Sequence, residues 1–397
     1  MVESSTQSNS KRQTLSPGKD AVVDRISSLP ESLLCHILSF LPTKDSIATS
    51  ILSTRWKLLW TLVPKLDLDS YKISTSELSL DDDDDDDVED ARAIMFAHVV
   101  SSVLAKQECG ELQTFRLRWL YGWDGSHLDA WFRTAAARKV KELDLEVLMH
   151  SDVENLKLPP SFFSCRTLVV LKLSGDIDID TPSLSFNFPS LKILHLVEVS
   201  FPGTISSQEP SFLRLLSGCC PVLEDFSFGT DDFFEEFCRK WVFNLFAGLN
   251  NVKFLSFSPS GTGWHNFGNI YPSSFQNLVK LKFKVNGCSW NVLRVLLQKA
   301  PNLETLVITK GNDFVESNLY WKEPQYDPAN LSSLTSFYYR GFKGLNDEVE
   351  LVKYVLKEAR VLKTATFQVS SGESKESVLD KLSMFPRCST TCLLRVE

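Results

Sequence analysis

Residues 189–196 read PSLKILHL, and residues 301–308 read PNLETLVI. Each carries an apolar residue, two spacers, a second apolar residue, one spacer and a third: Leu191/Leu194/Leu196 and Leu303/Leu306/Ile308. Side chains alternate across an extended strand. The last two apolar residues of each triplet therefore point to one side, and the residue between them, His195 in the first, points to the other. Working outward, the same spacing recurs as Leu112/Phe115/Leu117, Val140/Leu143/Leu145, Leu168/Leu171/Leu173, Leu223/Phe226/Phe228 and Val252/Leu255/Phe257. It continues as Leu278/Leu281/Phe283, Leu334/Phe337/Tyr339 and Leu362/Ala365/Phe367.

Successive triplets are 23 to 32 residues apart. Leucine-rich repeats run about 20–29 residues with an L-x-x-L-x-L strand, so ten triplets at this spacing predict such an array. Each unit buries one face only against its neighbours, which builds a curved solenoid with a continuous parallel sheet. Leads such as PSL at 189–191, PVL at 221–223 and PNL at 301–303 precede the strands. Helical stretches are expected between them at 128–137, 212–216 and 292–298. The expected fold class is α/β.

Upstream the texture changes. Residues 24–70 read DRISSLPESLLCHILSFLPTKDSIATSILSTRWKLLWTLVPKLDLDS. Ser28 and Glu31 have capping-box spacing for a helix carrying Leu33, Leu34, Ile37, Leu38 and Leu41, which Pro42 stops. Thr43 is the expected cap of a second helix with Ile47, Ala48 and Ile51 inward. Ser53 is the expected cap of a third with Trp56, Leu59 and Trp60. A unit this small with apolar residues on several helical faces rarely stands alone. It must pack on the rest of the chain or be covered by a partner.

Residues 1–23 are polar and read as a disordered tail. Residues 71–106 read as a linker with the acidic run Asp81–Asp87, a solvated loop by charge repulsion, and then a helix from about Glu89 to Lys106. Beyond residue 320, an amphipathic helix over 347–360, the strand 364–369 and a helix near 375–383 are expected to cap the open end of the array.

The chain has 397 residues and a formal charge of -8. Residues 81–90 hold nine acids, so the remainder is near neutral. It carries no broad basic excess for phosphate neutralisation, which demotes nucleic-acid binding. No apolar run approaches the length of a membrane span, and the N-terminus has no signal-peptide core. Nine scattered cysteines form no disulfide framework. The expected compartment is reducing: cytoplasm, nucleus or both.

No phosphate loop, H-E-x-x-H or G-x-S-x-G occurs. Cys388 and Cys392 lack a second ligand pair for zinc, and Cys219-Cys220 reads as packing. Asp144, Glu146, Glu224 and Glu304 alternate with apolar residues as a solvated strand face does. No catalytic residue, metal or cofactor is expected. Candidate target-facing positions are Lys172, Lys192, His195, Ser227, Ser256, Lys282 and Thr305, with no subset preferred. Trp264, Phe267, Tyr271 and Trp290 are a candidate pocket lining for a small molecule, with core packing the alternative.

The 24–70 segment resembles an F-box, through Leu29-Pro30, the Leu33–Leu41 helix ending in Pro42, Leu52-Ser53, Arg55-Trp56-Lys57 and Trp60. The stretch with Trp321, Pro324, Leu334, Phe337, Arg340-Gly341, Lys343-Gly344, Leu356, Ala359 and Leu362-Lys363-Thr364-Ala365 resembles an FBD domain. Order and spacing are similar to the plant F-box/FBD/leucine-rich-repeat family over residues 24–397. The resemblance implies a three-helix F-box (24–70), a linker (71–106), leucine-rich repeats (107–320) and an FBD segment (321–397). It implies a non-catalytic adaptor of an SCF-type cullin–RING ubiquitin ligase, which docks on a Skp-type protein and recruits a protein target. The residues implied for the Skp-facing surface are Leu29, Pro30, Leu34, Ile37, Leu38, Leu41, Pro42 and Trp56. A repeat scaffold without ligase activity, or a receptor gated by a small molecule, are the alternatives.

Overall fold

The computed structural model describes residues 25–26, 28–74, 86–120, 125–149, 154–179, 187–200, 220–229, 246, 248–259, 274–285, 289–311, 321, 323, 331–369 and 374–397. Twelve strands form one sheet, and every pairing in it is parallel. They are β1 (Lys65–Asp69), β2 (Thr114–Leu120), β3 (Glu142–Leu148), β5 (Val170–Gly175), β7 (Ile193–Val197) and β8 (Asp225–Gly229). The sheet continues through β9 (Phe254–Ser258), β10 (Lys280–Val285), β11 (Thr305–Lys310), β12 (Ser336–Phe342), β13 (Thr364–Val369) and β14 (Leu393–Val396). Neighbours in space follow chain order; β4 (Leu156–Lys157) and β6 (Ile177–Asp178) pair separately.

All ten triplets enter this sheet, and their last two apolar residues stack in register. Leu143, Leu171 and Leu194 are successive partners, as are Phe228, Phe257 and Phe283. These side chains are buried, and Phe228, Phe257 and Phe283 lie at ring separations of 5.8 and 6.0 Å. Parallel sheets need both strand faces and turns satisfied, and a ladder of side-chain amides does part of that. Asn251 donates to the Pro221 carbonyl at 3.0 Å, Asn277 to Asn250 at 3.0 Å and Asn302 to Gln276 at 2.8 Å. Each asparagine immediately precedes the first apolar residue of its triplet, so it ties one repeat's turn to the turn before it.

The sheet also reaches past the ten triplets at both ends. Val63/Leu66/Leu68 repeats the spacing inside residues 24–70 and makes β1. Leu394 and Val396 make β14. The C-terminal strands and helices therefore extend the same sheet, with α7 (Asn346–Glu358) between β12 and β13 and α8 (Lys375–Ser383) between β13 and β14. The interior helix α5 (Leu128–Ala137) coincides with its expected stretch, α6 (Trp290–Lys299) extends the expected 292–298 at both ends, and 212–216 falls outside the described residues. The helix α4 (Asp86–Lys106) begins within the acidic run, so Asp86 and Asp87 are helical rather than part of a loop. Acidic residues there suit the positive end of the helix.

The N-terminal unit departs from its expected details. The helix α1 spans Glu31–Leu38, with Pro30 as its N-cap, so Glu31 opens the first turn and no Ser28–Glu31 box forms; Ser28 donates to the Arg25 carbonyl instead. The helix ends four residues before Pro42, because the residue before a proline is pushed out of helical geometry and Ser39 turns back on the His36 carbonyl. The second helix, α2 (Thr43–Ala48), is capped by Pro42, and Thr43 lies inside it. The Thr43 hydroxyl instead accepts the Asp67 amide at 2.7 Å. The third helix is not α-helical: 3-10 turns at Thr49–Ile51 and Leu59–Leu62 replace it, and Ser53 caps no helix. Ile51 points outward, 88% exposed, and Ala48 is also exposed. A short helix, α3 (Ser70–Ser74), follows β1.

Candidate docking surfaces

Two surfaces carry unspent chemistry. The first is the N-terminal unit. Leu34, Leu38, Trp56, Leu59 and Val63 are buried together as its own small core, with Leu29 half-buried against them. Leu34 and Leu38 are one turn apart on the inner face of α1. Leu33 and Ile37, also one turn apart, are exposed on its outer side, followed by Phe40 at 72% and Leu41. Ile51, Leu52 and Leu58 are exposed as well. Isolated exposed apolar residues are ordinary, but this many on a segment of some forty residues form an apolar surface of the kind that marks an interface.

The residues expected on a Skp-facing surface thus divide. Ile37, Leu41 and Pro30 are exposed and Pro42 is half-buried; Leu34, Leu38 and Trp56 are interior, where they hold the outer residues from beneath. Phe40 and Leu58 were not singled out by the sequence, Leu52 was named only within the F-box motif, and Ile51 was expected to face inward. Their signal was the excess of apolar residues over what a 45-residue unit can bury.

This unit is fastened to the sheet. Glu108 and Cys109 donate backbone N–H groups to the Thr61 carbonyl at 2.8 and 3.1 Å, and Gln113 donates to Pro64 at 2.7 Å. The buried Gln107 side chain donates to the Val63 carbonyl. The chain runs from Val63 straight into β1.

The second surface is the polar face of the sheet, whose charge is distributed unevenly. On the first strands acids and bases cancel. Arg118 holds Glu146 through two hydrogen bonds of 2.8 Å and lies 3.9 Å from Asp69. These bonds push the guanidinium above its ordinary pKa. Arg116 pairs with Asp144 at 3.4 Å and Lys172 with Glu142 at 3.4 Å. Burial of Asp144 outweighs both neighbouring cations and raises its carboxyl above the usual range. Glu224 receives Lys253 at 3.1 Å and Lys192 at 3.8 Å, and the Lys253 hydrogen bond lowers its pKa. His195 lies 3.5 Å from Asp225.

Among the target-facing candidates, Lys172 and Lys192 are therefore ion-paired. His195, Ser227, Ser256 and Lys282 come together around one recess of about 120 Å3, with Asp225, Phe254, Leu255 and Lys280. Thr305 lies one strand beyond, opposite Lys280. Trp290 is buried in the core, edge-on to Trp321 at 6.0 Å, whereas Trp264, Phe267 and Tyr271 fall outside the described residues. Cys220 is buried, Cys219 is outside the described residues, and burial pushes the Cys165 thiol up to about 11. Among the described residues no group of three metal-ligating side chains occurs, and no helix is long and apolar enough to cross a membrane.

Comparison with known proteins matches all three regions. Residues 26–68 match the F-box domain model, 128–238 the model of the LRR repeats of FBD-associated F-box protein At5g56370, and 329–367 the FBD model. The chain is 30% identical to the Arabidopsis thaliana F-box/FBD/LRR-repeat protein At3g52680, over 94% of this chain and 92% of the relative. It is also 30% identical to F-box/FBD/LRR-repeat protein At4g00160 from the same plant, over 90% and 89%. FBD-associated F-box protein At5g56370 is 28% identical over 94% and 99%.

Proposed function

Because the chain belongs to the plant F-box/FBD/LRR-repeat family, we propose that it is the target-recruiting adaptor of an SCF-type cullin–RING ubiquitin ligase. Its F-box docks on a Skp-type protein, and its repeats hold a protein target. The observation that carries this reading is the row of outward apolar side chains on a unit that already has its own core. Ile37, Leu41 and Pro30 make direct contact in this reading. Leu29 and Pro42 lie at its margin, and Leu34, Leu38 and Trp56 keep the surface in shape. Desolvated Leu, Ile and aromatic anchors are what a helical interface uses.

The chain supplies proximity rather than bond chemistry: a target held near an activated ubiquitin reacts at a raised effective concentration. We read the chain-order strand sequence as a curved repeat solenoid, with the divisions 24–70, 71–106, 107–320 and 321–397 and with β1 shared by the first unit and the sheet. A reducing compartment, cytoplasm or nucleus, suits the free thiols.

Co-purification with a Skp-type adaptor tests the docking. Ile37→Asp with Leu41→Asp places two charges on the contact. Capture is expected to weaken by about 30- to 1000-fold, the equivalent of roughly 2–4 kcal/mol. Both positions are exposed, so the thermal midpoint should stay within a degree or two. Equal capture of wild type and variant, or no capture of a folded wild type, would overturn the reading.

A further inference from the structure

We propose that β7–β10 form the target-contacting part of the sheet and that their partner is an extended peptide with acidic side chains at alternate positions. This deepens the adaptor reading and rests on it for the word target; the binding itself does not. Lys280, Lys282 and Lys284 occupy successive outward positions of β10. Their partners in register on β9 are Phe254 and Ser256, and on β11 they are Thr305, Val307 and Thr309, none of them acidic. Among the described residues no carboxylate lies within ion-pairing distance of these three lysines, although most cations on β2–β7 have found one.

The recess beside them adds shape and hydrogen bonding. Phe254 supplies apolar wall, Ser227 and Ser256 supply hydroxyls, and Asp225 is held against His195 on the far side from β10. The spacing selects the occupant. Alternate residues of a strand recur about every 6.6 Å, so three lysines at i, i+2 and i+4 match an extended peptide laid alongside β10 with an acid at every second residue. A long polyanion such as RNA fits less well. The cationic row spans only about 13 Å, and the same face bears Glu142, Asp144 and Glu146 a few strands away.

The full-length protein is titrated, without any Skp-type adaptor, against a fluorescein-labelled twelve-residue peptide alternating Glu and Ser, with a Gln/Ser peptide as control. Binding is read by anisotropy. The acidic peptide is expected to bind, the neutral one to bind at least tenfold more weakly, and 0.5 M salt to weaken the former severalfold. Lys280→Glu with Lys282→Glu should lower affinity at least tenfold, whereas Lys375→Glu with Lys381→Glu on α8 should change it less than twofold. The Ile37→Asp/Leu41→Asp protein should bind the peptide as wild type does, which keeps failure of F-box docking separate from failure here. Equal binding by the β10 variant, equal binding of the neutral peptide, or tighter binding of a single-stranded RNA dodecamer that the β10 change abolishes would overturn the proposal.

Discussion

Gly175 has no room for a side chain. It closes β5 at a φ of +89°, and a Cβ built on it would stand 1.9 Å from the Val147 carbonyl oxygen. That same carbonyl accepts the Asp176 amide at 2.9 Å, and the Asp176 carboxylate accepts the Met149 amide at 2.7 Å, so the turn is locked to β3 from both sides. Gly175→Ala must move backbone, which no side-chain rotation relieves. Positive φ alone costs about 1–2 kcal/mol, and with the clash the loss of stability should reach roughly 2–4 kcal/mol. Gly110→Ala, where nothing lies within 4 Å, is the control and should stay within about 0.5 kcal/mol. Denaturant midpoints decide; comparable midpoints for the two variants would refute the argument.

Among the elements, α7 depends on a single buried carboxylate. Its N-cap is Leu345, whose side chain accepts nothing, and Glu348 reaches back to take the Leu345 amide at 3.2 Å and the Lys343 amide at 2.8 Å. Gly341 and Gly344, both at positive φ, bring the loop round to it. Glu348 is fully buried, so Glu348→Ala would orphan two amides at a cost of about 1–3 kcal/mol. Both amides go to the same oxygen, Oε2, so Glu348→Gln can keep both bonds through its carbonyl oxygen and should lose less than the Ala variant. Hydrogen exchange over residues 343–352 should quicken in the Ala protein before exchange in β13 does; unchanged exchange there would contradict this role.

Legibility from sequence also divides by element. Strands with a full apolar triplet, such as 191/194/196, were plain because two-residue periodicity fixes both strand and facing. Here β1 was hidden, because Val63/Leu66/Leu68 lies at the end of a helix-rich segment and read as its tail. The final strand was hidden because its lead position is Thr391 and only Leu394 and Val396 remain of the pattern. The helix ends in 24–70 were misread because prolines 30 and 42 took the N-cap positions from Ser28 and Thr43. The candidate site was legible in part. Alternation placed His195, Ser227, Ser256 and Lys282 on the outer face, but only the register between strands shows that they adjoin, and that Lys172 and Lys192 are already paired.

At the scale of the molecule, the question is how firmly the F-box is held to the sheet, since in the proposed adaptor role a target must be presented at a defined place. The junction runs through five hydrogen bonds: Gln107 to the Val63 carbonyl, which is buried, Glu108 and Cys109 to Thr61, Gln113 to Pro64 and the Asp67 amide to Thr43. Three of these five bonds run from backbone to backbone, so side-chain substitution leaves them in place; Gln107 and Thr43 supply the adjustable links, and Gln107 is the side-chain donor. Gln107→Ala leaves the buried Val63 carbonyl without its side-chain donor, worth about 1–3 kcal/mol. Because that loss sits between the two units, exchange at Val63–Leu66 and Lys106–Cys109 should rise while β9–β11 stays protected. The outer apolar residues of α1 are untouched, so capture by a Skp-type adaptor should change less than threefold. Equal protection across the junction in wild type and variant would mean that packing of Trp60 against the sheet core, rather than this hydrogen bond, holds the two units together.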